Sequence, residues 1–245
     1  MKKRHLFNII GGAIIIAWLL MIGLLVRKTN FSEPIAQTAY ITDKAAKIVT
    51  SQHDWMEIYL KGKKVGYAVT HVSPVEDEYL IQEQIFLRLN LLGQASVIRT
   101  LTQSVADHQF RLKNFIFRMT SGIVSFCVSG KIDGKRMLLK IGEGLAKRSE
   151  SIMLPEKPVI GGGIALFFKG RRLEVGESFV FPVFDPSTMT QKNMVLKMEG
   201  KETLVINRID YEAIRLEGEM LGQKLTFWLD ERGNVLKQTG FMGLT

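Results

Sequence analysis

Cysteine is almost absent from the 245 residues: Cys127 is the only one. An intrachain disulfide and a cysteine-built zinc site are therefore excluded. Cys127 lies in the alternating run GIVSFCVSG (residues 122–130), with no histidine or helix start nearby to lower its pKa, and reads as a small apolar strand residue. Histidine is scarce too. Beyond the first thirty residues only His53, His71 and His108 occur, none of them in a nucleophile motif. The H-E-x-x-H, P-loop and G-x-S-x-G patterns are missing. Gly161, Gly162 and Gly163 lack both the Walker lysine and the dinucleotide spacing, and the acidic Glu76, Asp77 and Glu78 lack calcium-loop spacing. The expectation is a chain that is not an enzyme and carries no cofactor and no metal. Excess charge is also small outside the N-terminus. Residues 1–30 hold five of the 33 basic residues and no acid, so the remainder carries 28 basic against 24 acidic residues. Nucleic-acid binding is disfavoured, because it calls for concentrated positive charge on a folded face.

What the chain does have begins with residues 9–26, IIGGAIIIAWLLMIGLLV, 18 residues without a charge. As a helix they span about 27 Å, enough to cross a bilayer core. The run exceeds the apolar region of a secretory signal and ends in LLVRKTN, with no small-x-small cleavage site. An uncleaved signal anchor over 1–28 is expected. Lys2, Lys3 and Arg4 before the span, against Arg27 and Lys28 after it, favour a cytoplasmic N-terminus. This predicts a single-pass inner-membrane protein with its C-terminal domain in the periplasmic or extracytoplasmic space.

Residues 29–53 read as a tether, with a short helix capped by Thr42 and running to Val49. From residue 54 to 245 the dominant period is two, with turn signals every ten to fifteen residues, as in an antiparallel β domain. WMEIYLKGKKVGYA (residues 55–68) is the first hairpin, with Met56, Ile58 and Leu60 on one face and Trp55 and Tyr59 on the other. Both faces are largely apolar, so the alternation leaves the core face undecided. Tyr79, Ile81, Glu83, Ile85, Leu87, Leu89 and Leu91 form one face of an unusually long strand, and Asp133-Gly134 marks another hairpin. Further strands are expected at 149–154, 177–184, 192–199, 202–208, 211–220, 223–230 and 234–239, making about a dozen strands in all by that pattern. The basic stretch Lys131, Lys135, Arg136, Lys140, Lys147 and Arg148 reads either as a solvated sheet edge or as a contact for anionic headgroups.

One segment breaks the rhythm. PEKPVIGGGIALFFKGRR (155–172) suggests a short helix from Pro158 to Phe168, apolar around most of its circumference and in need of cover. The predicted architecture is mainly β: the transmembrane helix, then one large curved antiparallel sheet, a half-barrel, with a short covering helix. The candidate ligand-binding or partner-binding residues are Ile160, Ile164, Leu166, Phe167 and Phe168 of that segment. Phe179, Phe181 and Phe184 of FVFPVFDPSTMT (179–190) complete the set. The implied ligand is a lipid acyl chain or an apolar peptide. The alternative is a scaffold subunit docking onto a membrane complex.

DWMEIYLKGKKVGYA, YLIQEQIFLRL, GESFVFPVFDPST and WLDERGNVLK together resemble the β-rich region that precedes the catalytic domain in some bacterial membrane-anchored transglutaminase-like proteins. The resemblance spans about residues 54–240. It implies an extracytoplasmic β fold, with an accessory domain of such an enzyme as a third reading, and carries no catalytic residue onto this chain, because Cys127 does not match the nucleophile of that family. The architecture is also similar to lipoprotein carriers of the LolA and LolB type, a likeness of architecture only, which implies a curved antiparallel sheet with helical cover.

Overall fold

The computed structural model describes residues 38–40, 50–91, 94–144, 147–220, 222–240 and 243–245, which belong to one unit, Thr38–Thr245. The expected anchor over 1–28 and the helix from Thr42 to Val49 lie outside the described residues. Among the described residues no helix is long and apolar enough to cross a membrane.

Period-two patterning does produce strands almost throughout, but they do not form one sheet. Eight consecutive strands make a plain meander in which each pairs with the next: β2 (Gln52–Leu60), β3 (Lys63–Val75), β4 (Glu78–Leu91), β5 (Gln94–Asp107), β6 (Leu112–Ser121), β7 (Val124–Asp133), β8 (Arg136–Ile141) and β9 (Arg148–Met153). A second, six-stranded sheet has the order β1 (Thr38–Tyr40), β10 (Ser178–Asp185), β11 (Thr190–Ile206), β12 (Ile209–Met220), β13 (Gln223–Leu229) and β14 (Val235–Thr239). Neither sheet closes on itself. The expected single curved sheet is corrected to two. Accumulated strand twist works against one continuous fourteen-strand sheet, and the chain leaves the first sheet through Pro155 and Pro158 before it starts the second.

Two differences in the second sheet have local causes. β1 falls in the stretch read as tether, where it pairs parallel to β10 through Thr38↔Ser178 to Tyr40↔Val180. The expected strands 192–199 and 202–208 are one strand, β11. Gly200 marks a bulge between Met198 and Gly200 that bends the strand without ending it.

The helix α1 (Gly161–Phe167) is shorter than expected. It cannot begin at Pro158, because Val159 is taken up by β10: its N–H donates to the Pro182 carbonyl at 2.7 Å and its carbonyl accepts from the Phe184 N–H at 2.9 Å. Ile160, still extended at φ −107°, is the N-cap and supplies no side-chain hydrogen bond.

The two sheets meet at two seams. At one, the 158–160 segment bonds to both, since the Leu112 N–H donates to the Pro158 carbonyl at 2.8 Å while Val159 holds β10. At the other, Tyr59 and Thr245 exchange backbone hydrogen bonds of 2.8 and 2.9 Å. β10 is buried on both faces. Phe179, Phe181 and Val183 enter the core of the six-stranded sheet, while Phe184 packs with Phe115 of β6, ring centroids 5.3 Å apart.

Candidate functional site: the inner face of the eight-stranded sheet

Strand register settles which face of the first hairpin is inside. Val72↔Ile81↔Ser104↔Phe115 lie across neighbouring strands and are all buried, so Met56, Ala68, Ile85 and Thr100, two rows along, share that inner face. Trp55 and Tyr67 are outside. There they form a cross-strand ladder, Trp55 on Tyr67 at 4.5 Å and Tyr67 on Phe86 at 5.4 Å, with the Arg99 guanidinium 5.4 Å from the Phe86 ring. Such pairs stabilise a sheet from its solvent side.

Burial then falls away along the inner face. Ile81, Tyr79 and Val72 are at most 4% exposed, covered by Leu166 of α1 and by Phe110. Further along the same strands, Met56, Ile58, Ala68, Ile85, Leu87 and Ile98 are only half-buried and belong to none of the three core clusters. They make an apolar strip running from the covered end of the sheet toward the hairpin tips.

Glu83 stands where covered and half-buried rows meet, paired with Thr70 and Thr102 across the strands. A Cβ placed on Gly162 would lie 4.0 Å from its Oε1 and 3.3 Å from Ile81 Cγ2, so the glycine-rich start of α1 rests directly above this carboxyl. Burial there pushes the Glu83 pKa up, favouring the neutral acid, which can donate a hydrogen bond.

The eight residues expected to bind a ligand are all buried, at 1–6% exposure. They divide among three clusters rather than lining one cavity. Ile164, Phe167, Phe168, Phe179 and Phe181 lie in the core of the six-stranded sheet, where the two helix phenylalanines meet the two of β10 edge-on at 5.1–5.8 Å. Ile160 and Phe184 lie with Phe115 in the core of the eight-stranded sheet, and Leu166 with Ile81 in the third cluster. The segment is a keystone between the sheets. Its C-terminal end is held by Lys169, which ion-pairs with Asp54 at 3.6 Å and hydrogen-bonds Gln52 of β2, and by the Gly170 N–H donating to the Arg232 carbonyl at 3.1 Å. Sequence reasoning missed the half-buried strip and Glu83's place in it. The available signal was the acid interrupting the apolar face of β4.

The other residues weighed for chemistry are dispersed. His71 and His53 face each other across β3 and β2 at 5.5 Å, and His71 Nε2 lies 2.9 Å from Ser73 Oγ. Cys127 is four strand spacings from β3, roughly 19 Å, so the two do not form a nucleophile–base pair. Burial pushes the Cys127 thiol up, and a hydrogen bond with Glu143 adds to this, which disfavours the thiolate. His108 is exposed. Asp185 caps a turn by accepting from the Ser187 N–H at 2.8 Å and the Thr188 hydroxyl at 2.9 Å.

No family model matches the chain, and no curated protein matches it. Two solved structures are similar. A DUF1089 family protein from Pseudomonas aeruginosa aligns at 12% identity over 84% of this chain and 94% of its own, with a TM-score of 0.38. A beta-barrel-like protein of the domain of unknown function DUF1849, from Brucella abortus, aligns at 10% identity over 80% of this chain and 92% of its own, with a TM-score of 0.53. Neither is described as a transglutaminase-like protein or a lipoprotein carrier, so the resemblance drawn from the sequence is met at the level of a β-rich fold. At that level, of a mainly β fold, the chain is similar to the beta-barrel-like Brucella protein.

Proposed function

We propose that this chain is a non-catalytic binding module, anchored in the inner membrane by residues 1–28, whose inner strip receives a lipid acyl chain or an apolar peptide segment on the extracytoplasmic side. The observation that carries this reading is the gradient of burial along β4, from Ile81 at 2% exposure to half-buried Ile85 and Leu87 on the same face. An apolar strip left half-covered, with a half-buried carboxyl at its covered end, has the composition of a small-molecule site. Glu83, favouring its neutral form, is suited to hydrogen-bond an ester, amide or carboxyl oxygen at the head of such a chain, while Met56, Ile58, Ala68, Leu87 and Ile98 contact its body. In this reading α1 is a fixed wall of the site, because its phenylalanines are already spent on the core.

The test is native mass spectrometry with lipid extraction on the full chain purified from the envelope. A co-purified lipid that is lost in Leu87→Asp, a substitution at a half-buried position, supports the reading. An empty wild-type protein that also takes up no added lipid refutes it, and leaves the alternative of a scaffold subunit whose partner a mild-detergent pull-down identifies.

A further inference from the structure

The connections of the eight-stranded sheet fall at two ends, and the ends differ in charge. At the end carrying the β2–β3, β4–β5, β6–β7 and β8–β9 connections, residues 57–66, 86–99, 117–127 and 140–150 hold nine Lys or Arg against three acids. At the other end, residues 73–80, 104–114 and 130–137 hold five of each. The three acids of the first end already have partners: Glu57 pairs with Lys64, Glu143 with Arg118 at 3.5 Å and Glu150 with Arg148 at 3.4 Å. The excess charge is carried by Lys61, Lys63, Arg88, Arg99, Lys140 and Lys147, all exposed.

The same end presents an apolar tip. Ser121 and Val124 close a two-residue hairpin whose first turn residue is Gly122, at φ +59°. The second is Ile123, fully exposed at 103%, and Val124 after it is 59% exposed. Such turns favour Gly, Asn, Asp or Ser, so neither the turn nor the core calls for an isoleucine here. One exposed apolar side chain is ordinary, but two in succession on a turn within the most basic rim of the sheet mark an interaction site.

Strand register shows that a flat partner can meet several of these connections together. Measured from the row Ile81↔Ser104↔Phe115↔Gly130↔Leu139↔Glu150, the strands run on for ten residues to Leu91 and Gln94, six to Ser121 and Val124, and two to Ile141 and Arg148. The ends step down evenly, so a surface crossing the strands at a slant reaches all three.

We propose that this end of the sheet docks on an anionic bilayer, with Ile123 and Val124 seated at headgroup level and the surrounding cations over the lipid phosphates. A bilayer is charged across its whole plane, so the cations need only face it and share no common point. The attraction acts within a Debye length of about 8 Å, and lysine and arginine stems are long enough to reach the phosphates while the backbone stays in water. The apolar strip runs toward this end, yet the proposal holds whatever that strip binds.

The test places a tryptophan at the tip, Ile123→Trp, and a comparison tryptophan at an exposed position of the other sheet, Val205→Trp. The full chain is mixed with lipid, freed of detergent and recovered on vesicles of phosphatidylcholine alone or of equal parts phosphatidylcholine and phosphatidylglycerol, each with a lipid brominated on its acyl chains. Subtracting the wild-type signal removes the three native tryptophans. In the anionic vesicles the tryptophan at 123 should shift to the blue and be quenched at least about three-fold more than in phosphatidylcholine or than the one at 205. Adding Lys63→Glu, Arg88→Glu and Lys147→Glu, at three exposed positions, should remove that excess quenching, with far-UV circular dichroism confirming the fold. Flotation of the wild type with phosphatidylcholine vesicles reports the anchor at residues 1–28 separately, so that reading and this one fail independently. Equal quenching at 123 and 205, equal quenching on the two lipids, or quenching untouched by the charge reversals overturns the proposal. A tryptophan at 123 that stays unquenched in anionic vesicles overturns it too, and leaves the tip to a protein partner.

Discussion

Replacing Phe167 by alanine tests whether α1 is a structural keystone or a loosely seated cover. The ring is 2% exposed and touches Phe168, Phe179 and Phe181 edge-on at centroid distances of 5.4, 5.6 and 5.1 Å, with the Arg171 guanidinium 4.5 Å from its centre. Truncating a buried phenylalanine costs about 3–5 kcal/mol, and the edge-on aromatic contacts keep this site off the lower end. The neighbours that would have to close the hole are themselves rings held by β10, so collapse is limited. The expected loss is about 4 kcal/mol, a large share of the roughly 5–15 kcal/mol that stabilises a typical domain. With a urea slope of about 2–3 kcal/mol/M for a chain of this size, the unfolding midpoint should fall by about 1.3–2 M. Urea unfolding followed by far-UV circular dichroism reads this directly. A loss below about 1.5 kcal/mol would show that the helix is not packed as described, and that it could lift away to admit a ligand.

Ile85→Ala, on the half-buried strip, should cost only about 1–2 kcal/mol by the same assay while reducing lipid co-purification, the opposite balance to Phe167→Ala. Glu83 gives a pH signature. Below about pH 4.3, the ordinary glutamate value, folded and unfolded states are both protonated. Above it the unfolded chain ionises first, so stability should fall with rising pH until the raised native value is passed, then level off; unfolding from pH 4 to 8 should show that slope in wild type and lose it in Glu83→Gln. A slope unchanged in the variant would refute the burial of that carboxyl. Gly233→Ala, in a buried turn, should cost at least about 2 kcal/mol. Its φ is +82° and a Cβ there would sit 2.3 Å from the Phe168 carbonyl oxygen, so thermal unfolding should drop by several degrees.

Much of the fold is legible in the sequence because a half-buried strand writes its pairing into alternate residues. The face Tyr79, Ile81, Glu83, Ile85, Leu87 is read correctly from spacing alone, as are β9, β10, β12, β13 and β14 to within two residues. The split into two sheets is not written locally. It depends on where β10 finds partners, and both faces of β10 are apolar because it serves two cores. Gly200 misleads for a related reason: a bulge and a turn use the same residue, and only the register across β12 distinguishes them. The candidate site shows the limit more sharply. Hydrophobicity picks out Phe167 and Phe181, which bury themselves completely, whereas Ile85 and Leu87 look like any other strand residues until the extent of the cover is known. The basic stretch is likewise uniform in sequence, and Lys131, Lys135, Arg136, Lys140, Lys147 and Arg148 are all exposed on β7, β8 and β9 or in the connections beside them.

The keystone position of α1 also sets a timetable for synthesis. The eight-stranded meander is complete at Met153, and each strand pairs with the one made just before it, so it can form as the chain emerges. Leu166 and Phe184, which cover its inner face, come later, and the six-stranded sheet that backs them ends only at Thr239. At roughly 5–20 residues per second, several seconds pass between the two. Throughout that interval Ile81, Phe115 and Leu139 present a broad apolar surface to any neighbouring nascent chain. The order of the sequence thus gives this protein a reason to depend on a holding chaperone during synthesis that its finished form would not reveal.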